Sequence, residues 1–277
     1  MNDAVEQLLE SVGAETQPAP VAVAPGLRGR CAVVTGGCGG IGRAICLALG
    51  RSGVDIAFNY LEEGVPGAAE EAERLQAELR ELEVKVHARP CDVRQPQQVR
   101  RFIAGVLEEL GGVHILVNSA GIARDRALWR MGDEQWRAVV ETNLSGTFYH
   151  IREVAPVLRA QEWGKIVNVS SIHGVRSEFG LANYSASKAG LMGLTRAAAV
   201  ELGPSNVNVN AVAPGYIRTT KLTQQVPSEI LDRARERSAL RRLGDPQDVA
   251  GVVLFLCSEA ARHITGAVIP IDGGYLI

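Results

Sequence analysis

Short apolar runs recur along the chain at intervals that leave room for a helix between each pair. Runs of this kind lie near Cys31 to Val34, Val54 to Asn59, Val84 to Ala88, Val113 to Asn118, Ile166 to Ser170, Val207 to Val212 and Ala267 to Ile271. Between them, Val99 to Leu110 and Leu191 to Leu202 carry apolar residues at helical spacing, and Asp245-Pro246 ahead of Val249 to Cys257 reads as a helix start. Strands alternating with helices predict a parallel sheet covered on both faces. The expected fold is therefore α/β: a single Rossmann-type doubly wound parallel sheet of about seven strands with helices on both faces.

The first 26 residues break this pattern. A short amphipathic stretch, Val5 to Val12, gives way to Pro18, Pro20 and Pro25 spaced by Ala and Val. Such a segment buries little apolar surface, which predicts a flexible N-terminal extension over 1–26 and one folded domain over 27–277. A docking peptide or oligomer arm is the alternative for the extension.

Two motifs carry chemistry. Directly after the first apolar run stands Thr35-Gly36-Gly37-Cys38-Gly39-Gly40-Ile41-Gly42. A glycine-rich turn between a strand and a helix lets backbone N–H groups approach a pyrophosphate at the helix's positive end. Farther on, Tyr184 and Lys188 sit four apart in Tyr184-Ser185-Ala186-Ser187-Lys188, and Ser171 ends a strand-like run. Residues at that interval share a helical face. A cation beside a phenol favours the phenolate, so Lys188 is expected to lower the Tyr184 pKa from its usual ~10. Taken alone, a Tyr-x-x-x-Lys pair is more often a surface tyrosine and a solvated lysine; the glycine turn is what makes a nucleotide-dependent enzyme the better reading.

With these residues in view, the chain from about Leu27 to its end resembles the short-chain dehydrogenase/reductase family. The family's Thr-Gly-x-x-x-Gly-x-Gly pattern falls on Thr35, Gly36, Gly40 and Gly42; its Asn-Asn-Ala-Gly segment is Asn118-Ser119-Ala120-Gly121, with one substitution; its helix-bending asparagine is Asn143; its serine is Ser171 rather than Ser170; and its Pro-Gly loop is Pro214-Gly215-Tyr216-Ile217-Arg218-Thr219. The resemblance implies a nicotinamide-dependent oxidoreductase acting on a carbonyl or secondary alcohol. Tyr184 would be the general acid, Ser171 a hydrogen-bond donor to the same oxygen, Lys188 a partner of the nicotinamide ribose, and Asn143 the holder of a proton-relaying water. Cofactor contacts would come from Gly36, Gly40, Ile41, Gly42, Tyr60, Asp92, Val93, Asn118, Ala120, Gly121, Tyr184, Lys188, Pro214, Gly215, Ile217 and Thr219. Tyr60 stands where an NAD enzyme carries an acidic residue. That absence, with the resemblance of Asn59-Tyr60 to NADPH-using reductases, favours NADP(H) over NAD(H), although Glu62 and Glu63 would repel a 2′-phosphate and Arg43 is the nearest cation. Asp92 would contact adenine; its alternative is a helix cap ahead of Pro96.

Composition narrows the partners. With 277 residues, 46% hydrophobic, 30 glycines and a formal net charge of −2, the chain can bury one large core and has no basic surplus for nucleic acid. Nor does any apolar run approach the ~20 residues of a membrane helix, and Met1 to Glu10 lacks a signal peptide's basic start, so a cytoplasmic protein is expected. The five cysteines show no metal-ligand spacing and read as reduced and structural, with Cys38 the one placed to react.

The pattern is most similar to 3-oxoacyl-(acyl-carrier-protein) reductases, but where those place basic residues for an acidic carrier this chain has Glu162 and Ser205. A free ketone is therefore favoured over a carrier-bound one. His173, Arg176, Phe179, Tyr216 and Arg218 are candidates to border the substrate, against ordinary loop surface. A secondary-alcohol dehydrogenase of sugar or polyol type, working oxidatively, is the alternative; a catalytically silent binding subunit would be expected to lose Tyr184 or Lys188. The Val249 to Cys257 helix and the closing Ile269 to Ile277 region resemble the parts through which the family forms homotetramers.

Overall fold

A computed structural model describes residues 24, 26–218 and 226–277. The extension over 1–23 and the cofactor candidate Thr219 lie outside the described residues. Seven strands, β1 (Cys31–Thr35), β2 (Asp55–Tyr60), β3 (Val86–Pro90), β4 (Ile115–Asn118), β5 (Gly164–Val169), β6 (Val207–Pro214) and β7 (Val268–Ile271), pair in parallel in the order β3-β2-β1-β4-β5-β6-β7. The order reverses between β1 and β4, so the chain leaves those neighbouring strands toward opposite faces and opens a crevice at their carboxyl ends.

Strand alternation explains the layers. On one face Ala32, Val34, Ile56, Phe58, Ile115 and Val117 pack with the helices α1 (Gly40–Arg51), α2 (Ala68–Glu81) and, farther along the chain, Pro246–Cys257. On the other, Cys31, Val33, Ala57, Leu116, Ile166 and Val209 meet helix α3 (Pro96–Leu110) and two later helices, Gly146–Ala160 and Ala182–Leu202. Both faces are covered, so the strands are apolar throughout rather than alternately polar. Helix α3 begins with Pro96 at its first position and stops at Gly111, which adopts φ 78° and donates its N–H to the Leu107 carbonyl.

A short helix α4 (Asp133–Val140) runs through a π-helical turn, Glu141–Ser145, into α5 (Gly146–Ala160). Then follow α6 (Ala182–Leu202), α7 (Ser228–Arg237) and α8 (Pro246–Cys257). Several expected strands are shifted: β4, expected from Val113, starts at Ile115. Val84 lies in the turn after Glu83, whose φ of 59° ends the preceding helix, so β3 starts at Val86; β5 instead starts at Gly164. None of the five cysteines forms a disulfide, and burial pushes the Cys31, Cys91 and Cys257 thiols up to about 12, as unreactive packing groups. Among the described residues no helix is long and apolar enough to cross a membrane, and no group of three or more metal-ligating side chains occurs.

Candidate active site

The glycine turn is fixed by bonds that its sequence does not advertise. Thr35, 2% exposed, accepts the N–H groups of both Ser119 and Ala120 on its hydroxyl at 3.0 Å, pinning the turn after β4 against the turn after β1. Gly36 follows with φ 65°, and a Cβ there would stand 2.9 Å from the Ala120 Cα, so only glycine allows the two turns to meet. Helix α1 then opens behind Gly39 with no side-chain cap and no acidic residue in its first turn. Its first N–H groups are available to an anion. This edge fits the pyrophosphate of a dinucleotide, with Gly40, Ile41 and Gly42 supplying the helix start.

Ser171, Tyr184 and Lys188 converge on the same sheet edge. Ser171, two residues past the end of β5, hydrogen-bonds the Tyr184 phenol, while its oxygen accepts the His173 N–H at 3.1 Å. The neighbouring Ser170 is spent elsewhere, donating to the Lys188 carbonyl at 2.9 Å, which separates the two serines by role. The Lys188 Nζ lies 5.6 Å from the centroid of the Tyr184 ring and donates to the Val169 carbonyl at 2.7 Å. Burial alone pulls the Lys188 ammonium down to about 8. The expected lowering of the Tyr184 pKa is not met: burial pushes it above its usual range, the charge of Asp125 adds to the rise, and the Ser171 bond only partly offsets them. In this state the phenol stays protonated at neutral pH.

Asn143 sits in the π-helical turn, fully buried, and each atom of its amide has a protein partner. Its Oδ1 accepts from Ile122 N–H at 2.9 Å, and its Nδ2 donates to the Ile122 carbonyl at 3.0 Å and to Ser187 Oγ at 3.1 Å. The side chain joins the turn after β4 to α6, and its Oδ1, accepting one N–H, keeps a second lone pair. A Cβ on Gly121 would lie 3.3 Å from Asn143 Oδ1 and 3.5 Å from Lys188 Nζ, so the space above these two groups depends on a glycine.

Other expected contacts fall differently. Asn118 is 2% exposed and donates its amide N–H to Asn168 inside the sheet, which leaves its Oδ1 without a hydrogen-bond partner. Asp92 is gripped by Arg94 through Nε and Nη2 at 2.6–3.0 Å and also accepts the Arg94 N–H. Burial works to raise its pKa, but those bonds and the Arg94 charge prevail and hold it below the usual carboxylate value. The helix cap is Gln95, not Asp92. Val93 is buried against Gly146, Ala120 and Gly121 lie in the pinned turn, and Tyr60 ends β2 half-buried and uncharged, its pKa raised by burial and by Glu62. Pro214 ends β6, Gly215 donates to the Ile271 carbonyl at 2.9 Å, and Ile217 is buried.

Among the substrate candidates, His173 and Tyr216 border the phenol: the His173 ring meets Tyr184 edge-on at 6.3 Å and Tyr216 at 5.6 Å. Phe179 is 80% exposed and packs edge-on against Trp129 at 6.0 Å, with Arg176 exposed beside this rim. Arg218 is ion-paired. Its guanidinium is held bidentately by Asp245 at 2.8 Å, at the start of α8. Sequence reasoning missed Glu178, whose two carboxylate oxygens accept the phenols of Tyr216 at 2.8 Å and Tyr275 at 2.5 Å, tying three separate segments together at the mouth. Glu162 and Ser205 lie next to each other before β5 and β6, linked by the Asn206 amide on the Glu162 carbonyl at 3.0 Å. They occupy the sheet edge opposite Tyr184, so within one chain neither bears on the site's mouth.

A doubly wound sheet with a glycine-lined anion cradle beside a Ser-Tyr-Lys cluster defines a dinucleotide-dependent oxidoreductase. Residues 36–276 match the family model described as enoyl-(acyl carrier protein) reductase. The chain is 40% identical over 252 residues to the 3-oxoacyl-(acyl-carrier-protein) reductase of Thermotoga maritima, covering 91% of this chain and 99% of that one. It is 39% identical over 245 residues to nodulation protein G of Azospirillum brasilense, covering 88% and 97%. The crystal structure of a protein assigned as a short-chain alcohol dehydrogenase from Sinorhizobium meliloti 1021 superposes with a TM-score of 0.85 at 36% identity, over 90% of this chain and 97% of that one. The chain belongs to the short-chain dehydrogenase/reductase family, and as such is an oxidoreductase that uses a nicotinamide cofactor.

Proposed function

We propose that this protein reduces a ketone or 3-oxoacyl substrate to the secondary alcohol, with NADP(H) as its cofactor and Tyr184 as the general acid. The observation that supports this reading is the convergence of three side chains at one sheet edge: the Lys188 Nζ lies 5.6 Å from the centroid of the Tyr184 ring, and Ser171 is hydrogen-bonded to the same phenol. When bound, the cofactor supplies a hydride to the carbonyl carbon. Tyr184 delivers the proton to the carbonyl oxygen, and Ser171 donates a hydrogen bond to that oxygen as charge develops on it. The ammonium of Lys188 then stabilises the phenolate left behind. A phenol held above its usual pKa stays in the protonated form near pH 7, the form that a carbonyl reduction needs, and the charge of Lys188 is what offsets its weaker acidity as the proton leaves.

NADP(H) is preferred because Tyr60 offers no carboxylate to accept the ribose hydroxyls. Arg43, one residue past the glycine turn, has its guanidinium 2.5 Å from both oxygens of Glu78, and a 2′-phosphate would compete for that cation. Titrating the purified protein with NADPH and NADH, followed by nicotinamide fluorescence, tests the choice: tighter NADPH binding is expected, and tighter NADH binding refutes it. A panel of free ketones, 3-oxoacyl thioesters and an enoyl thioester, run with the tighter cofactor, separates carbonyl from double-bond reduction. A homotetramer is proposed as the assembly, since the edge strand β7 and Phe255 on α8 stand open in the single chain; a monomeric mass by light scattering refutes it.

A further inference from the structure

Behind the glycine turn lies a buried histidine that belongs to neither motif. His150, on the first turns of α5, is fully buried, and Asn59, on β2, is 1% exposed. Asn59 holds the glycine turn twice: its Oδ1 accepts the Gly36 N–H at 3.0 Å and its main-chain carbonyl accepts the Gly37 N–H at 3.0 Å. That leaves the Asn59 Nδ2, which can only donate, 3.0 Å from His150 Nε2. His150 Nδ1 lies 2.8 Å from the Gly146 carbonyl, which can only accept. One arrangement satisfies every atom: a neutral His150 with its proton on Nδ1 and its Nε2 lone pair toward Asn59. Burial, which holds the imidazole down at about 4, agrees with the neutral form.

The far end of this chain of bonds also touches the cradle. A Cβ on Gly146 would stand 2.9 Å from Val93 Cγ2 and 3.1 Å from the Val93 carbonyl, so α5 begins in direct contact with the turn after β3. Three separate segments, the glycine turn, the end of β2 and the turn after β3, are therefore registered on one another through His150 and Gly146. Were Nε2 to carry the proton, two donors would face each other and the Asn59 amide would rotate, turning its NH2 group onto the Gly36 N–H.

We propose that His150 is a positioning residue for the dinucleotide: by accepting from Asn59 it fixes that amide's orientation, and thereby the presentation of the glycine turn to a pyrophosphate. This inference rests on the nucleotide-binding reading above. Its test is a fluorescence titration of NADPH into the wild-type protein, His150→Leu and His150→Gln, with turnover measured at saturating cofactor and thermal midpoints recorded alongside. Leu leaves the Asn59 donor without an acceptor, and a roughly tenfold weaker Kd is expected with kcat within about twofold. Gln supplies an acceptor oxygen and should recover most of the affinity. A Kd unchanged in His150→Leu while the thermal midpoint falls makes the role purely structural and overturns the proposal. A second measurement needs no variant: ¹⁵N spectra of the histidine rings should show one buried imidazole protonated on Nδ1 alone from pH 5 to 9, and the Nε2 tautomer there would overturn it. Should the wild type bind neither NADPH nor NADH, the nucleotide reading itself fails and the inference falls with it.

Discussion

Replacing Thr35 by Val removes one oxygen and changes little in shape, yet that oxygen accepts two backbone N–H groups, from Ser119 and Ala120, at 3.0 Å each. Because the site is partly buried, each orphaned donor should cost near the low end of the ~1–3 kcal/mol expected for an unsatisfied buried group, for a sum of about 2–3 kcal/mol. In a domain of this size that corresponds to a thermal midpoint lower by about 5–10 °C. The loss has a functional side, since those two N–H groups set the turn of Gly121, and with it the space over Lys188, relative to the glycine turn. Weaker cofactor binding should accompany the destabilisation. Thr35→Ser is the control: it keeps the oxygen and loses one methyl, so it should stay within about 1 kcal/mol of wild type. Urea unfolding of the three proteins measures the differences. A Thr35→Val variant within about 0.5 kcal/mol of wild type would show that the two turns are not joined through this hydroxyl, and the account of the crevice would be wrong.

Tyr184→Phe should lose about 10²- to 10⁴-fold in kcat while its NADPH affinity stays near wild type, because only the proton donor is removed; near-full turnover contradicts the assignment. The pH dependence follows from two groups. With Tyr184 raised above its usual value and Lys188 lowered to about 8, the reductive kcat should be level through neutral pH and fall as pH passes about 8, where the ammonium is lost while the phenol is still protonated. A profile flat to pH 10 would remove Lys188 from the chemistry. Glu178→Gln removes the carboxylate charge and turns one of the two acceptor oxygens into an NH2 donor, so one of the Tyr216 and Tyr275 phenols can no longer donate there. The substrate KM should rise roughly threefold to tenfold with cofactor affinity unchanged; a shift in cofactor affinity instead would place the latch elsewhere.

What the sequence disclosed is what is local. The glycine turn between β1 and α1 and the four-residue interval from Tyr184 to Lys188 are contiguous patterns, and strand alternation within 31–35 or 115–118 sorts side chains to two faces whatever follows. Ser170 and Ser171 take different partners, one closing on the Lys188 carbonyl and the other on Tyr184. Hidden were the pairs made by topology. Asn59 and His150 are 91 positions apart and Glu178 and Tyr275 are 97 apart, and neither separation has a period to betray it. Charge states were equally hidden: Lys188 beside Tyr184 suggested a lowered phenol pKa, but the depth of burial and the proximity of Asp125 reverse the sign. The Arg218 pairing was hidden for the same reason, because its partner Asp245 stands 27 positions on.

The central claim is that Tyr184, beside the glycine cradle, protonates a carbonyl as it is reduced. The most direct test is the loss of reduced-nicotinamide absorbance when purified protein and NADPH meet a 3-oxoacyl thioester or its ketone analogue, with Tyr184→Phe run beside it. The account predicts carbonyl-dependent oxidation of NADPH, with the secondary alcohol as product, in the wild type and almost none in the variant. NADPH bound by both proteins with equal turnover in each, or with none in either across the whole panel, would contradict it.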